Sequence, residues 1–313
     1  NIEPGTTILM EENTEITCHG IFNAMGSQNN PINILPLKAN SYFNSLYFLN
    51  SEAANLNYLN IEDGLINSKY SNLTIQNTNI NINNRPMQIG EKRPSIIWGW
   101  HGNIELNNIS LKGNNKGEGI NISYSKARIK NSKFYYTPDA IELINVEDGE
   151  IINNLVMFSP DDAIDLNDCA NIKIKNNYLI NNDDKGISIG TDWANEFISK
   201  NPQFNGKSFN IEVSNNYILG NNIGLAVKDS SLVKSKNNII SFNTIGIKVY
   251  KKHENYKLGG TLYSQLDQIN DNLNNISIDE FSKIDTTNKI DSIKIIPTKN
   301  SFVIPNLIKY SIS

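Results

Sequence analysis

Cysteine is almost absent. Cys18 and Cys169 are the only two in 313 residues, too few for a disulfide framework. Histidine and arginine are as scarce, at three each. His19, His101 and His253 are scattered with no metal spacing, so a zinc site is not indicated. Charged residues make up 19% of the chain and the net charge is -4. A basic, phosphate-tracking surface is therefore missing, and no nucleic-acid partner is expected. Mean hydropathy is -0.39 and no run of ~18 apolar residues occurs, so no membrane span is predicted. Neither a Gly-x-Gly-x-x-Gly nor a P-loop pattern is present, which argues against a nucleotide site. Asn1 in place of Met fits a trimmed chain, and an extracellular or cell-surface location is the expectation.

What is abundant is asparagine, with 54 residues, and isoleucine, with 48. Codon bias can raise such amounts, but it does not set spacing. Asn108, Asn131, Asn154 and Asn177 stand 23 apart, and Asn216 and Asn238 continue the series after a step of 39. A second strip keeps the same step: Ile141, Ile164 and Ile187, then Leu225 and Ile247. Around each, as in Ala163-Ile164-Asp165-Leu166, sides alternate with period two, the signature of a strand. Short strands on a period of ~20–25 residues, with Asn able to take the left-handed backbone of a tight corner, describe an all-β solenoid. A right-handed parallel β-helix of roughly ten coils is predicted.

The same rhythm opens more loosely, so residues 1–40 are read as a cap or opening coil. Residues 41–250 form the helix, and residues 251–313, where the period fades, close its end. Residues 83–101 interrupt the rhythm with Arg85-Pro86, Arg93-Pro94 and Trp98-Gly99-Trp100 and are expected to be a loop. The 39-residue step hides an insertion over about 191–210. It carries Trp193, Phe197 and Phe204, and Trp193 is the one favoured to face a sugar. Cys18 and Cys169 lie about six coils apart, roughly 29 Å, and are expected to be free and buried.

The coils resemble the right-handed parallel β-helix of the pectate-lyase-like superfamily. The motifs Asp161-Asp162-Ala163-Ile164-Asp165-Leu166, Asp184-Lys185-Gly186-Ile187-Ser188-Ile189-Gly190 and Ile223-Gly224-Leu225-Ala226-Val227-Lys228-Asp229-Ser230-Ser231 are similar to those of bacterial β-helix proteins that occur with CotH-type domains. A looser likeness is to polygalacturonase-type glycoside hydrolases. Asp139 and Asp161-Asp162 match two of their four motifs. Lys185 stands where that family has His, and Lys228 is all that remains of its Arg-x-Lys.

Stacking the coils on the Ile141/Ile164/Ile187 column gathers one acidic patch of Asp139, Glu142, Asp161, Asp162, Asp165 and Asp184, beside Lys185 and, further along, Lys228. Like charges this close must protonate, pair or bind a cation. Oxygen ligands from Glu142, Asp162, Asp165 and Asp184 would suit Ca²⁺. Such an ion could acidify the C5 proton of a uronic acid, with Lys185 or Lys228 as the base and Asp139 and Asp162 assisting. Asp161, Ser188 and Trp193 would contact the sugar. The expected function is a Ca²⁺-assisted lyase or epimerase acting on a uronic-acid polysaccharide. The alternatives are a hydrolase using Asp139, Asp161 and Asp162, and a non-catalytic glycan-binding or surface module.

Overall fold

The computed structural model describes residues 1–87, 93–191, 207–254 and 256–286. Every regular element in them is a strand. The strands form three parallel sheets of 11 strands, each rung of the coil contributing one strand to each sheet. The chain is a right-handed parallel β-helix. We call the sheets 1, 2 and 3 by their opening strands Thr7–Met10, Glu15–Cys18 and Phe22–Met25. The ladders run on beyond residue 250 through strands such as Thr261–Gln265 and Asn274–Ile278.

Inward side chains stack into apolar columns. Ile141, Ile164, Ile187, Leu225 and Ile247 are direct register partners in sheet 2, and all five are fully buried. The strands on either side of the 39-residue step pair with each other directly, so the extra residues leave the ladder without breaking it. Trp193, Phe197 and Phe204 of that insertion lie outside the described residues.

The asparagine series resolves into two columns. Asn108, Asn131, Asn153, Asn176, Asn215 and Asn237 are the corner, with φ between 54° and 59°. The next position points inward. There Asn154, Asn177, Asn216 and Asn238 are buried. The Oδ1 of Asn177, Asn216 and Asn238 accepts from the backbone N–H and Nδ2 of the Asn one rung earlier, and Asn154 Oδ1 accepts from the Ser132 backbone N–H. A 23-residue spacing through Asn131 and Asn154 therefore crosses from corner to interior, because that rung is one residue shorter. A second ladder, Asn182–Asn221–Asn243–Asn272, runs at another corner, and its first three members are buried.

Two further expectations are corrected. The interruption at 83–101 ends earlier, because Ser95–Trp100 is a strand of sheet 2, with Ile96 and Ile97 buried. Both cysteines are free, but only Cys169 is buried. Cys18 ends the opening strand of sheet 2, where the end of the stack leaves it half-covered.

Candidate functional site

The acidic residues occupy the junction where sheet 1 hands the chain to sheet 2. On three successive rungs the chain leaves Lys133–Tyr135, Leu155–Met157 and Tyr178–Ile180 and enters Ile141–Ile144, Ile164–Asn167 and Lys185–Gly190. Asp139 lies just before the first of these sheet 2 strands, Asp161 and Asp162 before the second, and Asp184 before the third. Register brings Glu142, Asp165 and Ser188 into one outward column. One carboxylate oxygen each from Asp139, Asp162 and Asp165 falls within 4.8 Å of the others, and Asp161, Asp162 and Asp184 form a second such group. Asp162 belongs to both.

Asp162 is 4% exposed. Its Oδ1 accepts from the Lys185 backbone N–H at 3.0 Å and from Lys185 Nζ at 3.1 Å. Lys185 also pairs with Asp184. Burial pushes the Lys185 ammonium down, but Asp162 and Asp184 outweigh it and hold the pKa above the ordinary lysine value. Asp162 is pulled both ways: burial and Asp165 push it up, Lys185 and Lys228 pull it down, and the balance is upward. Among the described residues no cation pairs with Asp139. Burial, then the charges of Asp161, Asp165, Asp162 and Glu118, push it up to about 8. At neutral pH it keeps its proton.

The remaining members divide sharply. Asp161 is half-exposed and pairs with Arg93 at 3.2 Å. Asp165 accepts from Asn167 through Oδ2 at 2.8 Å, while its buried Oδ1 has no hydrogen-bond partner and lies 3.9 Å from Lys228 Nζ. Glu142 stands next in the ladder to Asp165, but Asn121 engages its carboxylate and it lies outside both close groups. Lys228 is 4% exposed and donates to Ser188 Oγ at 2.6 Å. Ser188 is itself fully buried, so its hydroxyl orients Lys228 rather than facing solvent. Trp193 lies outside the described residues.

Sequence reasoning passed over three neighbours. Glu118 adds its field to Asp139 from the rung before. Tyr250, the register partner of Lys228, is pushed up to about 12, by burial first and with Lys185, Asp162, Asp184 and Asp229 all acting on it. Asp229, fully buried, holds His253 Nδ1 at 2.7 Å and accepts from the Lys252 and His253 backbone N–H groups. The signal for Tyr250 was available, because it ends the strand that continues the Lys228 rung. The signal for Asp229–His253 was not, because the contact closes across an irregular segment.

No protein-family model and no curated protein matches the chain. Solved structures do. A periplasmic alginate epimerase, AlgG, in a double-mutant form is similar over 91% of this chain and 78% of its own, at 11% identity and a TM-score of 0.50. The catalytic domain of a GH87 α-1,3-glucanase in complex with nigerose is similar over 90% of this chain, at 11% identity and a TM-score of 0.52. This chain spans 61% of that domain. At such identities the likeness is one of fold.

Proposed function

We propose that the protein hydrolyses a polysaccharide at the carboxylate patch. Asp139 is the proton donor to the departing glycosidic oxygen, and Asp161 is the carboxylate that activates water. Asp162, clamped by Lys185, is a positioning residue that adds to the field around Asp139 after Asp161 and Asp165. The observation that carries this reading is the close approach of Asp139 to Asp162 and Asp165, which together with burial and Asp161 pushes it up to about 8, beside half-exposed Asp161. Glycoside hydrolysis needs one carboxyl group that keeps its proton and another that has lost it. The proteins this chain resembles in fold, an alginate epimerase and an α-1,3-glucanase holding nigerose, support a glycan as substrate. Incubation with a panel of neutral and acidic polysaccharides tests it. New reducing ends that vanish with Asp139→Asn are expected. If no polysaccharide yields reducing ends, the proposal of hydrolysis fails.

A second reading rests on a specific observation, the buried Asp165 Oδ1 that lacks a hydrogen-bond donor. An all-oxygen set of Asp139, Asp162 and Asp165 fits a hard divalent cation such as Ca²⁺. When bound, such an ion would neutralise a uronate carboxylate and make the adjacent C–H acidic. Lys185 could then serve as a base, once Asp162 and Asp184 no longer hold its proton in place. Unsaturated products that absorb ultraviolet light, appearing only with Ca²⁺, would establish this lyase chemistry over hydrolysis. A uronate whose C5 configuration inverts without chain cleavage would establish epimerisation.

A further inference from the structure

A groove of about 600 Å³ lies on early rungs of the helix, at the junction where sheet 3 hands the chain to sheet 1. The acidic patch uses the other end of the sheet 1 strands, on later rungs. At the groove's corner Tyr58, Asn77 and Asn108 each turn the chain with a left-handed φ of 48° to 54°.

Two amide ladders edge it. On the corner, Asn108 Nδ2 donates to Asn77 Oδ1 at 2.7 Å, and Asn77 Nδ2 donates to Asn57 Oδ1 at 2.8 Å. On the strand side, Asn79 Nδ2 donates to Asn60 Oδ1 at 3.0 Å, and Asn60 Nδ2 donates to Asn33 Oδ1 at 2.9 Å. The strand column continues in register to Ser110 and Lys133. An asparagine amide has two N–H donors and two lone pairs. A ladder consumes one of each per residue, so each amide keeps a donor and an acceptor for an outside partner. Tyr58 adds a ring and a hydroxyl, and the lining contains no carboxylate and a single cation, Lys133.

We propose that this groove is a separate binding site for a neutral polysaccharide chain. Paired donors and acceptors, repeated every ~4.8 Å along the axis, match a polymer whose every unit presents neighbouring hydroxyls. An ionic ligand would find no set of counter-charges here, and a flat apolar ligand would leave the amides unpaired. Further along the same column Tyr178 and Tyr217 stack at 4.8 Å with planes 2° apart. Both are exposed. Leu155 lies between them and Lys133 in that column, so they form an aromatic contact set apart from the amides.

Affinity electrophoresis tests this directly, in gels containing laminarin, dextran, xylan or, as acidic comparators, alginate and polygalacturonate. The expected result is retardation by at least one neutral polymer, weakened at least tenfold by Asn79→Trp, which blocks the exposed strand side of the groove. Asp139→Asn should retain that retardation, which separates the groove from the catalytic proposal: either can fail alone. Circular dichroism and thermal melting of Asn79→Trp serve as the folding control, and should Asn79→Trp misfold, Ser110→Arg replaces it. The proposal is overturned if no neutral polymer retards the protein. It is also overturned if a folded groove variant is retarded as strongly as wild type, or if only the acidic polymers bind.

Discussion

A carboxyl group half-buried among other carboxylates resists ionisation, and Asp139 shows the consequence. Its pKa of about 8 exceeds the ordinary value near 4 of an unfolded chain. The native protein therefore holds a proton between about pH 4 and pH 8 that the unfolded chain has released. Stability from this group is complete below pH 4 and is lost as pH rises through 8. The melting temperature should fall from pH 5 to pH 9, and Asp139→Asn should flatten that fall; an unchanged slope would count against the assignment. The same proton is the one proposed for catalysis, so activity should decline above about pH 8. Lys185 poses the converse case. Its side chain and that of Asp162 are 11% and 6% exposed. Lys185→Met would leave a buried carboxylate without its cation, a loss of about 3–5 kcal/mol in the usual range for such pairs. Urea unfolding measures it, and Asp162→Asn combined with Lys185→Met should recover part of the loss.

Between residue and fold stand the ladders. The Asn177 side chain makes four hydrogen bonds in the interior, with Asn154 N and Nδ2, the Ile151 carbonyl and Asn216 Oδ1. Asn177→Ala strands backbone groups that no water reaches, at ~1–3 kcal/mol each. A total loss of about 3 kcal/mol or more in denaturant titration is expected, whereas Asn176→Gly, at a corner with φ 57°, should change far less. Strands and inner columns could be read from period-two alternation alone. The division of asparagines into corner and interior could not, because two adjacent Asn residues, as in Asn153-Asn154 or Asn176-Asn177, look alike until a rung's length is known.

At the scale of the molecule, each rung contacts its neighbours and little else, so stability is close to a sum over adjacent rungs. Ser110 and Lys133 are register partners. Deleting residues 110–132 therefore joins equivalent points, and the shortened chain should fold with a β-type circular dichroism spectrum and a lower melting temperature. Deleting 110–131 shifts every side chain in the next strand to the opposite face, placing Lys133 where Leu111 was buried, and should give an unfolded or aggregated product. Equal behaviour of the two deletions would contradict the register.

By itself the sequence determined the solenoid and, along it, the stacking of Asp139, Asp161, Asp162, Asp165 and Asp184 beside Lys185. All of these follow from spacing, and in a helix of parallel rungs spacing is position. The tertiary structure decided what spacing cannot carry: which carboxylates approach within 4.8 Å, which way the Lys185 proton is held, that Ser188 is buried under Lys228, and that an amide-lined groove opens on another corner. Those depend on burial and on side-chain direction, and both are properties of the assembled stack rather than of any one rung.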